Sequence, residues 1–154
     1  MSEILSKEEV EKLVPHAGKM FLLDRVRNYD LETITITTEV DIDENTMFYD
    51  EELGGVPSWI AFEYMAQSIS ALSGIYGHQK NESPKVGFIM SVSNFKADAP
   101  VFRKGNVVTI EVHQTMRMDM AVTFDGKVFV GNQQVVTSTL NTVEVPDPKA
   151  ALGL

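Results

Sequence analysis

The sequence predicts an α+β domain in which a curved antiparallel sheet wraps a single long helix. Three observations lead there. The stretch "VPSWIAFEYMAQSISA" (56–71) and its continuation to Tyr76 are mostly apolar with helical spacing. "TITITTEVDI" (33–42) alternates with period two, as a half-buried strand does. From Val86 onward, the segments are rich in β-branched and aromatic residues and are punctuated by Gly and Asn turns.

Each element has its own reason. In "SKEE", Ser6 stands three residues before Glu9, the spacing of a capping box, and Pro15 cannot continue a helix, so a short one is expected over 6–14. In the strand at 33–42, Ile34, Ile36, Val40 and Ile42 share one face, while Thr33, Thr35, Thr37, Glu39 and Asp41 share the other. The glycines of "YDEELGG" read as a tight turn that lets the backbone approach the next helix. That central helix is expected from Pro57, whose missing N–H costs nothing at a first helical position, to Tyr76. At about 1.5 Å per residue it is roughly 30 Å long, enough to cross a sheet. Phe62, Met65, Ile69, Leu72 and Tyr76 form a bulky stripe expected to face that sheet. Glu63, Gln67, Ser70 and Gly74, with Trp59 and Ala66 close by, form a smaller polar row open to approach. After the loop "GHQKNESPK", strands are expected in "VGFIMSVSNFKADA", "NVVTIEVHQTMRM", "AVTFDGKVFV" and "QQVVTSTLNTVEV". Met116, Met118 and Met120 are expected to fill core or interface gaps, and 146–154 reads as a loosely held tail.

Composition bounds the function. A chain of 154 residues, 44% hydrophobic and 8% aromatic, suits one domain spanning 1–154 with a sizeable core. No apolar run approaches the roughly 18 residues of a membrane span. "MSEILSKEEVEKL" lacks the apolar centre of a signal peptide, so a cytoplasmic protein is expected. The absence of cysteine excludes disulfides, thiolate catalysis and cysteine-bound zinc. A net charge of -9 argues against nucleic acid, whose affinity rests on clustered Lys and Arg. Lys96, Arg103, Lys104 and Arg117 gather in the second half, as solvated surface or as a local basic patch. In "DIDENTMFYDEE", Asp41, Asp43, Asn45 and Glu52 match calcium-loop offsets, but Thr46 occupies the position that requires glycine and a strand runs into the loop. Neither a metal nor a cofactor is called for.

Glu63 is the anomaly, a carboxylate among Phe62, Tyr64, Met65 and Ala66. A lone helix carboxylate is ordinarily a surface group held by water and the helix dipole. This helix is too apolar for a surface position, so Glu63 is expected to be paired, at an interface, or in a cleft suited to proton transfer. Gln67, one turn on, can orient it.

The same residues carry a family resemblance. "VPSWIAFEYMAQ" resembles the "PGVL..E.MAQ" signature of the β-hydroxyacyl-acyl-carrier-protein dehydratases, and "VPHAGKMFLLDRV" (14–26) is similar to their "PH...M.LLDRV" segment. "VSNFKADAPVFRKGN" resembles their "FK.PV..GD" turn, so the likeness covers most of 14–145. The pattern carrying Phe48, Pro57, Trp59, Glu63, Met65, Ala66 and Gln67 is similar, more closely still, to the dehydratase-like subfamily of aryl polyene and polyketide clusters. The resemblance implies the hotdog fold, a helix wrapped by a curved antiparallel sheet. It implies that Glu63 is the catalytic carboxylate facing a substrate tunnel at a dimer interface. It also implies that the Ser58 N–H polarises a thioester carbonyl, that Gln67 buttresses Glu63, and that Trp59 and Tyr49 contact the substrate. In the implied reaction a base removes the proton α to the thioester, and an acid protonates the departing β-hydroxyl. The substrate would arrive on acyl carrier protein or coenzyme A, as in fatty acid biosynthesis.

The sequence departs from that pattern at one position. The dehydratases carry their catalytic histidine fourteen residues before the Glu, where this chain has Tyr49, a phenol and so a poor base near neutrality. His78 and His113 read as solvated. His16 aligns with a second family histidine and is either a cap for the first helix or a recruited catalytic partner of Glu63. Three readings stand: a lyase dehydrating 3-hydroxyacyl thioesters with Glu63 and a non-standard base, a thioesterase using Glu63 on water or on the carbonyl, and a non-catalytic subunit pairing with an active dehydratase. All three expect a homodimer or a hotdog heterodimer, because pairing covers an open sheet edge.

Overall fold

The computed structural model describes residues 5–14, 20–81 and 86–145. A six-stranded antiparallel sheet curves around a long helix, as the alternation and the apolar stretch predict. Its strands are β1 (Arg25–Asp30), β2 (Thr35–Asp41), β4 (Val86–Ala97), β6 (Val107–Met118), β7 (Ala121–Val130) and β8 (Gln133–Val145). They lie in the order β1-β2-β6-β7-β8-β4. The short strands β3 (Gly55–Pro57) and β5 (Val101–Arg103) pair with each other outside the main sheet.

Helix α1 (Lys7–Glu11) starts on the expected capping box: the Ser6 hydroxyl accepts from Glu9 N at 3.3 Å, and Glu9 Oε1 accepts from Ser6 N at 3.2 Å. It is shorter than 6–14 because the chain turns at Lys12, where Leu13 N donates to Val10 O. Strand β2 buries Ile36, Val40 and the intervening Thr38, whose hydroxyl meets Ser68 Oγ of the long helix at 2.7 Å. The pairing satisfies two buried hydroxyls at once. Strand β1 was not foreseen from the sequence, for a local reason: its register slips between Val26 and Asn28, and only Val26 is buried, so no period of two survives.

The long helix differs from expectation at its start and in its face. Pro57 belongs to β3; one turn of 3-10 helix, Ser58–Ile60, comes next, and α2 proper runs Ala61–Gln79. The expected stripe of Phe62, Met65, Ile69, Leu72 and Tyr76 is buried only at Met65 and Leu72. The sheet covers Tyr64, Met65, Ser68, Ala71, Leu72 and Ile75, while Tyr76 is exposed and Phe62 and Ile69 are half-buried. Close approach decides this, because Ser68 and Ala71 let the helix sit near the strands as bulkier residues would not. Gly126 of β7 makes the same point: a Cβ there would lie 2.5 Å from Met65 Sδ. At Gly74 a Cβ would lie 2.4 Å from Leu13 O, which shows how tightly the end of α1 crosses α2. The tail at 146–154 lies outside the described residues.

Candidate functional site

The polar row of α2 faces the segment before β1, and this contact builds the site. Gln67 is 0% exposed. Its side-chain oxygen accepts from Leu22 N at 2.8 Å, and its Nε2 donates to Met20 O at 2.8 Å and to Glu63 Oε1 at 3.2 Å. An amide held at both ends has a single orientation, so its N–H is directed onto the carboxylate. Glu63 is half-buried in the first turn of α2, where the helix dipole favours a negative charge. The sequence predicts that Gln67 can orient Glu63. That the backbone of Met20 and Leu22 orients Gln67 in turn was not legible, although "MFLLD" was part of the resemblance.

Ser58 is buried, and its amide donates to Pro100 O at 2.9 Å. The N–H that the resemblance implied for polarising a carbonyl is engaged with this backbone carbonyl in the structure. The bond has a structural cause, since the β3–β5 pairing brings residue 100 beside the start of the 3-10 turn. Trp59, next in line, stands 59% exposed. Tyr49 is half-buried against the core at the end of a turn closed by Tyr49 N on Thr46 O. His16 lies outside the described residues.

The other histidines lie far from Glu63. His78 is fifteen residues further along the same helix, about 22 Å at the helical rise. His113 is exposed on β6, next to the buried Val112, so it points to the face of the sheet away from α2, where its Nδ1 meets Thr35 Oγ1 at 3.0 Å. Lys104 Nζ lies 3.1 Å from Glu44 and Arg117 Nη1 lies 2.5 Å from Glu144, while Lys96 and Arg103 have no ion pair among the described residues. Of the calcium-loop residues, Asp41 pairs with Arg25, and Asp43 Oδ1 accepts from Asn45 N at 2.7 Å.

Comparison with known proteins decides the relationship. The family model described as ApeP dehydratase, ApeP-like, matches residues 8–153. The chain belongs to the ApeP-like dehydratase family. The 3-hydroxyacyl-(acyl-carrier-protein) dehydratase FabZ of Erythrobacter litoralis is 31% identical to this ApeP-like chain over 148 residues, covering 93% of it and 94% of the relative. The FabZ of Chlamydia trachomatis is 24% identical over 145 residues, covering 92% and 94%. Among solved structures, the dehydratase heterocomplex ApeI:P from Xenorhabdus doucetiae superposes with a TM-score of 0.84 at 24% identity, covering 94% of this chain and 95% of that one. The hotdog fold and the dehydratase-like family that the sequence resemblance implied are therefore those of this ApeP-like protein. No helix among the described residues is long and apolar enough to cross a membrane.

Proposed function

We propose that this ApeP-like protein supplies Glu63 to a site that dehydrates 3-hydroxyacyl thioesters, and that a second hotdog subunit completes the site. One observation carries the reading: the fully buried Gln67, fixed by Leu22 and Met20, presents a half-exposed carboxylate in a fixed position. Such a group exchanges protons at a defined point. In the proposed reaction the Glu63 carboxyl protonates the departing β-hydroxyl, which leaves as water. A base removes the α-proton, and the thioester becomes α,β-unsaturated.

Two observations support a partner subunit. Tyr49 stands at the offset where the family resemblance places a histidine, and neither His78 nor His113 reaches Glu63 among the described residues, which leaves His16 or a partner subunit to supply the base. Among the described residues the sheet also has one long open edge. Leu5 bridges Val26 on β1 and blunts that side, whereas β4 offers twelve residues with Ile89, Met90 and Val92 exposed. Long apolar edges are covered by pairing. The solved relative with the same fold comes from a dehydratase heterocomplex, which favours a hotdog heterodimer. The acyl group is proposed to arrive on acyl carrier protein or coenzyme A.

The test is mass spectrometry of a 3-hydroxyacyl thioester, with the chain alone and with a histidine-bearing dehydratase-type hotdog protein. Loss of water with the partner, cut at least about 100-fold by Glu63→Gln, supports the reading. Release of free acid means a thioesterase. Dehydration that Glu63→Gln leaves unchanged removes the carboxylate from the mechanism.

A further inference from the structure

Thr38 places a hydroxyl in an apolar layer. In register beside it stand Val26 of β1 and Ile110 of β6, and Ile36 and Val40 precede and follow it on the same face of β2, all of them buried. Ser68 of α2 lies against it; both residues are 0% exposed, and their hydroxyl oxygens are 2.7 Å apart. Valine and alanine would fill nearly the same space with no polar group to satisfy. The two hydroxyls therefore cost stability at every placement of the helix except the one in which they meet.

The available protons give the pair a direction. Ser68 Oγ donates its proton to Tyr64 O at 2.7 Å, so Thr38 Oγ1 donates to Ser68 Oγ. Thr38, Ser68 and Tyr64 thus tie the sheet to the carbonyl of the residue next to Glu63. The Tyr64–Ser68 and Glu63–Gln67 bonds each span one helical turn and are offset by one residue, so their tethers leave the same turn of α2 about 100° apart. Gln67 is tied to the backbone ahead of β1, whereas Ser68 is tied to β2, which β1 and β6 hold on both sides. A helix can roll or slide on one tether. Two tethers on adjacent faces fix both its rotation and its axial position.

We propose that Thr38 and Ser68 are positioning residues for Glu63, their hydroxyl pair setting the rotation and axial position of the turn that carries the carboxylate. The effect on rate rests on Glu63 being the acid of the proposed dehydration; the positioning itself does not.

The experiment compares variants of the full chain in which packing and hydrogen bonding change in opposite directions. Thr38→Val/Ser68→Ala removes both hydroxyls and nearly keeps the volume, so its urea midpoint should stay at or above that of the parent. Thr38→Ser keeps the hydroxyl and loses a methyl, so its midpoint should fall. Position should follow the reverse order. The Leu22 N–H donates to Gln67 Oε1, so its hydrogen exchange reports the seat of the Gln67–Glu63 turn. Read relative to the amides of β7 and β8, that exchange should quicken roughly fivefold or more in the double variant, the factor for weakening one hydrogen bond, and stay at the parent value in Thr38→Ser. Thr38→Val alone cuts the tie to β2 and should quicken it in the same direction. With a 3-hydroxyacyl thioester and the histidine-bearing partner, kcat per folded molecule should fall roughly tenfold in the double variant with KM within about twofold, and Thr38→Ser should stay near the parent. Parent-like Leu22 exchange in the double variant overturns the proposal. So does a double variant with full, Glu63-dependent turnover, or a Thr38→Ser protein as slow as the double variant. A parent that dehydrates nothing, or whose turnover ignores Glu63→Gln, sinks the dehydration reading instead, and the Leu22 exchange then decides the positioning by itself.

Discussion

Replacing Gln67 with leucine tests whether the clamp on Glu63 also holds the fold together. Leucine fills nearly the same volume, so the cavity contribution is small. The polar loss has three parts. Leu22 is buried, and its N–H, which donates to Gln67 Oε1 at 2.8 Å, is left without an acceptor, at a cost of about 1–3 kcal/mol. Met20 is 58% exposed and Glu63 half-exposed, so water can reach the acceptors freed there. The loss at each is then nearer ~0.5 kcal/mol. The sum is roughly 2–4 kcal/mol, a large share of the roughly 5–15 kcal/mol of a whole domain. For a chain of this size it corresponds to a fall in Tm of roughly 5–15 °C. Far-UV circular dichroism against temperature and urea, at fixed protein concentration because assembly shifts Tm, reads this directly. A Gln67→Leu protein melting within about 2 °C of the parent would show that the segment at 20–22 is held by other contacts, and the positioning argument for Glu63 would fail with it.

Other contacts give three more expected outcomes. Gly55→Ala places a methyl 2.0 Å from Phe102 O, against backbone that cannot swing away, so urea denaturation should show a loss of at least about 2 kcal/mol from separating β3 and β5. Asp41 meets Arg25 at 2.5 and 2.9 Å, and that hydrogen bonding holds its carboxyl below the usual aspartate range. The contribution is therefore present above the unfolded aspartate pKa and is lost as pH falls through the lower folded value. With the Asp41 side chain 48% exposed, Asp41→Asn should cost only about 0.2–1 kcal/mol at pH 7, and the gap to the parent, read by urea denaturation, should close in acid. Met90→Lys sets a charge on the exposed edge of β4, and light scattering should show the assembly dissociating toward the monomer mass; an unchanged mass would move the interface off that edge.

Local signals carried much of the design. The capping box at Ser6 and Glu9, the alternation from Ile34 to Ile42 and the β-rich segments after Val86 depend on neighbours a few residues away, and a linear reading recovers them. Glu63 stood out because a charge in an apolar helix is costly wherever it is placed. What the sequence could not supply were relations between distant segments. The register slip in β1, the small Ser68 and Ala71 set among the bulky residues on the buried face of α2, and the bond from the Ser58 amide to Pro100 are set by how closely strands and helix approach. Gln67 shows the division within one residue. Its spacing from Glu63 is a helical turn, readable from the chain, but its orientation depends on Leu22 and Met20, which lie 45 and 47 residues away and are brought to it only when the helix is wrapped.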